Sequence, residues 1–508
     1  MKKINSILFH RSVIVGISLL SQTAVLAMMI LRFSEHTAYF YWVCVAISFF
    51  AAVWIMSRRM EPGYKIAWLI PILLMPVFGG LFYLLVGGNG ASKRTREEME
   101  DINRRSREIL AGDFHSEELM QTDDDGAGQA RYLEHYACCP IYGNTRVCYF
   151  SQGEYAFERM LEELEKAEKY IFLEYFIIQE GVLWGSILDI LHRKAQQGVD
   201  VRVIYDDVGC MYTLPRDYPA SLERMGIRCR VFGPLVPILS IRQNNRDHRK
   251  IMVIDGRAAF TGGMNLADEY INEIERFGHW KDSAVLLRGD AVWSMTVMFL
   301  SMWNHYTDEE EAFERFRPER TVCPESKGWV QPYTDTPLDN EKVSQAVYLN
   351  LISRARKSVY ITTPYLIVDE ATNTALCNAA KCGVDVRIIT PHIPDKPYVF
   401  EVTRAHYLPL LEAGVKIYEY TPGFIHAKNF VVDGEYAAVG TVNLDYRSLF
   451  LHFENGVLLY HTPCIREIQQ DFLRTVEKSE EITLDKARSG NLFEYLYRSI
   501  LRVFAPLM

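Results

Sequence analysis

Apolar and polar positions follow three different patterns along this chain of 508 residues. The first 86 residues hold three uncharged apolar stretches, 12–31, 37–56 and 66–86, each 20 or 21 residues long. At 1.5 Å of rise per helical residue, each is long enough for a hydrocarbon core of about 30 Å, so the pattern predicts membrane helices. A cleaved leader fits poorly, because the first run is long and two more follow it. Positive charge precedes the first stretch (Lys2, Lys3, Arg11) and follows the second (Arg58, Arg59, Lys65) and the third (Lys93, Arg94, Arg96). Three full crossings cannot place all three clusters on one side. The third stretch contains Pro71, Pro76 and Gly79-Gly80, residues that kink or break a helix. A re-entrant hairpin, with the bulk of the chain on the cytoplasmic side, and a third kinked crossing are both open. Either way the chain is expected in the cell membrane as a multi-pass protein.

Residues 91–131 are highly charged with little apolar periodicity, and read as a solvated linker that includes Asp123-Asp124-Asp125. From residue 132 short apolar strands alternate with helical segments, and the alternation occurs twice. Gly198-Val199-Asp200-Val201-Arg202 recurs unchanged as Gly383-Val384-Asp385-Val386-Arg387, 185 positions later. Each copy leads into a β-branched strand, and each is preceded by another, Tyr170-Ile171-Phe172-Leu173 and Val359-Tyr360-Ile361-Thr362. The expected fold is α/β, with two pseudo-symmetric mixed-sheet halves at 132–320 and 321–490. The remainder, 491–508, reads as an amphipathic segment with Arg498 and Arg502 among apolar residues, suited either to a bilayer surface or to closing the core.

Composition narrows the function classes. Lys plus Arg number 55 against 64 Asp plus Glu, a net charge of −9, which disfavours a nucleic-acid partner. Ten cysteines are too few for a disulfide scaffold and form no C-x-x-C pair.

The candidate chemistry is duplicated with the halves. His248-Arg249-Lys250 runs through Ile251–Ile254 to Asp255, and His426-Ala427-Lys428 runs through Asn429–Val432 to Asp433, so both read H-x-K-x4-D. A Gly lies seven residues past each Asp (Gly262, Gly440), and an Asn lies 17 past each His (Asn265, Asn443). His and Lys two apart share a face of a strand. That strand ends in a turn dipeptide, Asp255-Gly256 or Asp433-Gly434, and the next returns to Gly262-Gly263 or Gly440-Thr441, where small residues admit a ligand close to the backbone. Two imidazoles and two ammonium groups suit a phosphodiester: Lys250, Lys428, Asn265 and Asn443, with the backbone at Gly263 and Thr441, hold its oxygens, while His248 and His426 supply nucleophile and acid. Lysine is a poor metal ligand and each half offers one His and one carboxylate at workable spacing, so no metal and no cofactor is expected.

Among weaker candidates, Glu454 is placed where a carboxylate could orient an imidazole, equally an ordinary sheet residue. His279 and Asp282 flank Trp280-Lys281 as packing or entrance residues, with packing preferred. Asp206-Asp207 reads as a turn.

The doubled H-x-K-x4-D with its trailing G-x-x-N resembles the phospholipase D superfamily. With the apolar N-terminal stretches, the chain is similar to bacterial cardiolipin synthases over essentially its whole length. The resemblance implies phosphatidyl transfer from one phosphatidylglycerol to another through a phosphohistidine, without metal, giving cardiolipin and glycerol. It suggests His248 as nucleophile, His426 as acid and base, and an orienting, charge-stabilising role for Asp255 and Asp433. Partners are then phosphatidylglycerol and membrane phospholipids, with phosphatidylethanolamine open as acceptor. A hydrolase using water, a nuclease and a non-catalytic membrane scaffold are the competing classes.

Overall fold

The computed structural model describes residues 38–507, apart from 59, 77–78, 87–92, 114, 122, 236–243, 308–311, 321, 324 and 490–491, with a few isolated positions before residue 33. The first apolar stretch, 12–31, therefore lies mostly outside the described residues.

Alternating strand residues build two sheets in the same order. In the first, β1 (Thr145–Phe150), β2 (Tyr170–Tyr175), β3 (Asp200–Asp206), β4 (Arg228–Phe232), β5 (Lys250–Ile254), β6 (Ala258–Gly262) and β8 (Ala284–Gly289) run in the order β1-β8-β6-β5-β2-β3-β4. The second contains β9 (Trp329–Asp335), β10 (Ser358–Thr362), β11 (Asp385–Pro391), β12 (Lys416–Tyr420), β14 (Asn429–Val432), β15 (Tyr436–Gly440), β16 (Glu454–Tyr460) and β17 (Ser479–Ile482). Its order is β9-β16-β15-β14-β10-β11-β12-β17, the first order plus one added edge. The pairs β2–β3, β3–β4, β10–β11 and β11–β12 are parallel, whereas β5 and β14 run antiparallel to their neighbours, so both sheets are mixed.

Period-two side-chain placement assigns each strand face to a different core. Tyr170 and Phe172 of β2 join the middle cluster, with Val431 and Val439 of the second sheet and Trp293, Phe299 and Trp303 of the helix Val292–His305. Ile171, Leu173 and Tyr175 face outward, under the helices Gly153–Glu165 and Val182–Gln196. The second sheet likewise buries Val359 and Ile361 beneath the helices Val343–Arg354 and Glu370–Lys381. The shared middle layer joins the two halves into one body.

The linker expectation for 91–131 is corrected. The helices Lys93–Leu110, Ser116–Met120 and Asp124–Tyr136 occupy it, with Met99, Leu110, Leu119, Ala127 and Ala130 buried. Asp123 is not solvated charge: it accepts from Gly126 N at 2.8 Å as a helix cap and from the Tyr436 hydroxyl at 2.7 Å. Sparse apolar residues at helical spacing suffice here because the folded halves supply the surface they cover: Met99 and Leu110 join the middle cluster beside the helix Val292–His305, and Leu119, Ala127 and Ala130 join the second half's outer core.

Among the described residues no helix is long and apolar enough to cross a membrane. The second stretch forms the helix Ala38–Ser57, and the third divides into Pro62–Leu74 and Gly79–Val86. The break falls beside Pro76, as its ring and the following glycines require, while Pro71 stays inside a helix. Pieces of 13 and 8 residues reach only about 20 and 12 Å. The bend is held by Ser48 Oγ donating to the Pro76 carbonyl at 2.5 Å. A Cβ on Gly80 would lie 2.7 Å from Ser48 Cα, so only glycine allows this approach.

Candidate active site

Both H-x-K segments enter their sheets at equivalent places, with Lys250 opening β5 and Lys428 immediately before β14. The strand pattern turns both lysines back, so that Lys250 Nζ donates to the His248 carbonyl at 2.7 Å and Lys428 to the His426 carbonyl. His248, His426, Lys250 and Lys428 are all buried, at 7%, 7%, 1% and 1% exposure.

The acids that hold the imidazoles come from the opposite half. His248 Nδ1 lies 2.9 and 3.0 Å from the two Glu454 oxygens, and His426 Nδ1 lies 2.7 Å from Asp282 Oδ2. Backbone pairing across the pseudo-twofold explains the exchange. His248 N donates to Phe453 O at 2.9 Å, and His426 N donates to Lys281 O at 2.7 Å, so each histidine lies beside the residue just before the other half's acid. The short strands β7 (His279–Lys281) and β13 (Gly423–Ile425) pair to extend one of these crossings. A carboxylate only accepts, so each Nδ1 carries the proton and each Nε2 keeps its lone pair; Lys428 Nζ, 2.8 Å from His426 Nδ1, then donates to the His426 carbonyl and not to that ring nitrogen.

The sequence favours packing for Asp282 and leaves Glu454 an even choice, whereas the structure sets both acids against a histidine. Strand register, which the sequence does not display, relates the two: Gly262 faces Ala284 and Gly440 faces Gly456 across the adjoining strands, and Asp282 and Glu454 each sit two residues before that partner.

The motif aspartates act elsewhere, which corrects the orienting role expected of Asp255 and Asp433. Asp255 accepts from the backbone N–H groups of Glu168, Lys169 and Tyr170 at 2.7–2.8 Å, and Asp433 from those of Arg356, Lys357 and Ser358 at the same 2.7–2.8 Å. Both are left-handed turn residues, φ +52° and +55°, that fasten β5 to the start of β2 and β14 to the start of β10.

Gly263 and Thr441 are corrected similarly. A Cβ on Gly263 would lie 2.1 Å from Asp282 Oδ1 and 2.9 Å from the His426 carbonyl, so the missing side chain makes room for the acid–imidazole pair rather than for a ligand. Thr441 Oγ1 donates to Glu454. Asn265 is tied to the scaffold, accepting from Ile177 N at 3.1 Å and donating to the Tyr270 hydroxyl at 2.7 Å, whereas Asn443 Oδ1 is buried with no hydrogen-bond partner.

Burial and mutual repulsion depress every base here. Burial lowers the His426 pKa to about 4, helped by Lys428, and moves His248 well below its ordinary value, helped by Lys250, Lys428 and His426. Burial lowers Lys250 to about 8 and Lys428 to about 7. Asp282 is lowered too, but against its burial: burial raises it, and His426 and Lys428 prevail and hold it low. The result is a buried cluster of basic groups, each holding the others' charge down, that an anion would relieve. His279 packs outside it, with Nδ1 3.1 Å from the Tyr420 hydroxyl.

Comparison with known proteins agrees with the duplication. The family described as "Cardiolipin synthase, PLD-like domain" matches residues 160–282 and 348–476, and "Phospholipase_D-nuclease N-terminal" matches 46–88. A "Cardiolipin synthase 2" of Bacillus anthracis is 35% identical over 456 residues, covering 89% of this chain and 88% of the relative. This chain belongs to the cardiolipin synthase family. A further cardiolipin synthase, from Halalkalibacterium halodurans, is 33% identical over 92% of this chain and 93% of its own length. An uncharacterized protein of Streptococcus mutans is 43% identical over 90% of this chain and 99% of its own length. The fold is shared with a phosphatidylserine synthase from Haemophilus influenzae, at TM-score 0.56 and 15% identity, over 75% of this chain and 98% of that one. Within this family, the crossed His–acid pairs are the feature that H-x-K-x4-D spacing does not announce.

Proposed function

We infer that this protein is a cardiolipin synthase, transferring a phosphatidyl group from one phosphatidylglycerol to the hydroxyl of another. The observation that carries this reading is the pair of buried imidazoles, each with Nδ1 bound to an acid and each beside a lysine, close enough to lower one another's basicity.

His248 Nε2 attacks the phosphorus, forming a P–N bond as the P–O bond to glycerol breaks, and His426 gives that oxygen its proton. With a pKa of about 4 the free imidazole is neutral at pH 7. The phosphodiester anion supplies the missing stabilisation, because its charge offsets the lysines that hold the ring unprotonated. His426 then removes the proton from the hydroxyl of the second lipid. That oxygen attacks the phosphorus, the P–N bond breaks, and cardiolipin leaves with His248 restored. Lys250 and Lys428, with Asn443, hold the phosphoryl oxygens. Asp282 and Glu454 fix the tautomers and stabilise the imidazolium.

A bilayer setting is supported by exposed apolar helix surface, for example Phe50 at 68%, Leu73 at 70% and Leu74 at 76%. The helix Leu492–Phe504 adds Phe493 at 81%, while Arg498 anchors it to Glu401 at 2.7 Å. We assign these surfaces to the membrane, and the sheets to its cytoplasmic side.

The test is product analysis from phosphatidylglycerol micelles, comparing the purified full chain with His248→Ala and His426→Ala. Cardiolipin plus glycerol from the wild type, with both variants reduced by at least about 10⁴-fold, is the expected result. Phosphatidic acid without cardiolipin would mean that water is the acceptor and the synthase reading is wrong.

A further inference from the structure

The two halves differ at one ring beside each catalytic imidazole. Two residues before Asp282 stands Trp280, whose ring centre lies 5.5 Å from that of His426. Two residues before Glu454 stands His452, 5.6 Å from His248. An aromatic ring thus packs against each catalytic imidazole at the equivalent position, and in the first half it is an indole. In the second half it is an imidazole with nitrogens that packing does not use. Its side chain is only 10% exposed, yet neither Nδ1 nor Nε2 has a hydrogen-bond partner. Glu454 Oε1 stands 3.8 Å from its Nδ1, beyond hydrogen-bond reach.

His452, His248 and Glu454 each present one ligand atom, all within 4.8 Å of one another. Two imidazoles and a carboxylate form a donor set for zinc or a similar divalent transition metal. Tetrahedral zinc with bonds of about 2.0–2.1 Å holds its ligand atoms roughly 3.3 Å apart, so the set closes by at most about 1.5 Å, through rotation of the rings. The surrounding cations, Lys250 and Arg447, oppose a dication and weaken its binding.

We propose that His248, His452 and Glu454 form an inhibitory zinc site that switches off the first half's imidazole. The inference rests on the transferase reading for its consequence, but not for the binding itself. Metal bonded to Nδ1 of His248 requires the ring's one proton to move to Nε2. The lone pair is thereby removed from the reacting nitrogen, and Glu454 exchanges its hydrogen bond for a metal bond. No proton is released and no redox change occurs. His426 faces Trp280 and lacks an equivalent third ligand there, so the switch acts on one half only.

The test uses the full chain in detergent, with cobalt(II) as an optical probe and zinc as inhibitor. Wild type is expected to bind one cobalt giving visible d–d bands without a thiolate charge-transfer band, which separates this site from the free cysteines. His452→Asn and His452→Trp, the latter copying the first half, are expected to weaken binding at least about tenfold. His452→Trp, which keeps a ring against His248, is expected to keep metal-free transfer and lose zinc sensitivity, and a chelator restores the wild type. Equal zinc sensitivity in the variants, or no cobalt spectrum in wild type, overturns the proposal. A cobalt spectrum lost in both variants of a chain that makes no cardiolipin would leave the metal site standing and remove only the transferase reading.

Discussion

The two halves solve one geometric problem with different side chains. In the first, a short acid, Asp282, reaches His426 at 2.7 Å because Gly263 has no Cβ to obstruct it. In the second, Glu454 reaches His248 with both oxygens, and the Thr441 hydroxyl steadies its extra methylene. Acid length and neighbouring bulk vary together, so each half keeps an Nδ1-bound carboxylate by its own means. Backbone symmetry thus preserves each Nδ1–carboxylate contact while leaving the side chains around it free to diverge, as they do at Trp280 and His452.

The sharpest way to break this comparison is to separate the crossed acids from the motif aspartates. Asp282→Asn and Glu454→Gln preserve shape but present an amide to Nδ1, so each is expected to lower kcat by about 10²–10⁴-fold through the wrong tautomer. Asp255→Asn and Asp433→Asn disturb only the turn caps. They are expected to lower stability by about 1–3 kcal/mol while kcat stays close to wild type. Transfer rates and thermal unfolding on the four variants decide the matter, and a kcat loss at Asp255 as large as that at Asp282 would restore a catalytic role to the motif aspartate.

The reason the acids were hard to see in the sequence is their distance along the chain. His426 and Asp282 are separated by 144 residues, and His248 and Glu454 by 206, with no common spacing to H-x-K. The doubled strand pattern, the turn at Asp255-Gly256 and the shared face of His and Lys were legible because they depend on local periodicity. The role of Asp255 was not, since recurrence marks a residue as needed without saying whether chemistry or a turn needs it. The helices over 91–131 were missed for a related reason: their few apolar residues gain meaning only from the surfaces of the folded halves they cover.

A smaller effect tests the compensation itself. Gly263→Ala places a methyl where Asp282 Oδ1 now sits, 2.1 Å from the new Cβ, and a shift of about 1 Å in the pair is expected to lower kcat by about 10²-fold. Thr441→Ala removes one hydrogen bond to Glu454, worth about 1 kcal/mol, and is expected to lower kcat about fivefold. If the two variants behave alike, the halves do not differ as described. Steady-state kinetics on both, with unfolding as control, provides the measurement.

The lysines offer the finest distinction between the halves. Burial displaces Lys428 to about 7 and Lys250 to about 8, both below an ordinary lysine, so each loses its charge as pH rises through those values. Anion binding to the free enzyme is therefore expected to fall about tenfold from pH 7 to pH 8, with phosphatidylglycerol kcat/KM following it. Once substrate is bound its negative charge raises both values, and the alkaline limb of kcat lies at higher pH than that of kcat/KM. The two steps are coupled, because Lys250 is one of the charges holding Lys428 down. Lys250→Met is accordingly expected to remove the upper step and move the lower one upward, seen in the pH dependence of phosphate binding. A lower step that stays near 7 in that variant would mean that burial alone sets Lys428, and that the halves titrate independently.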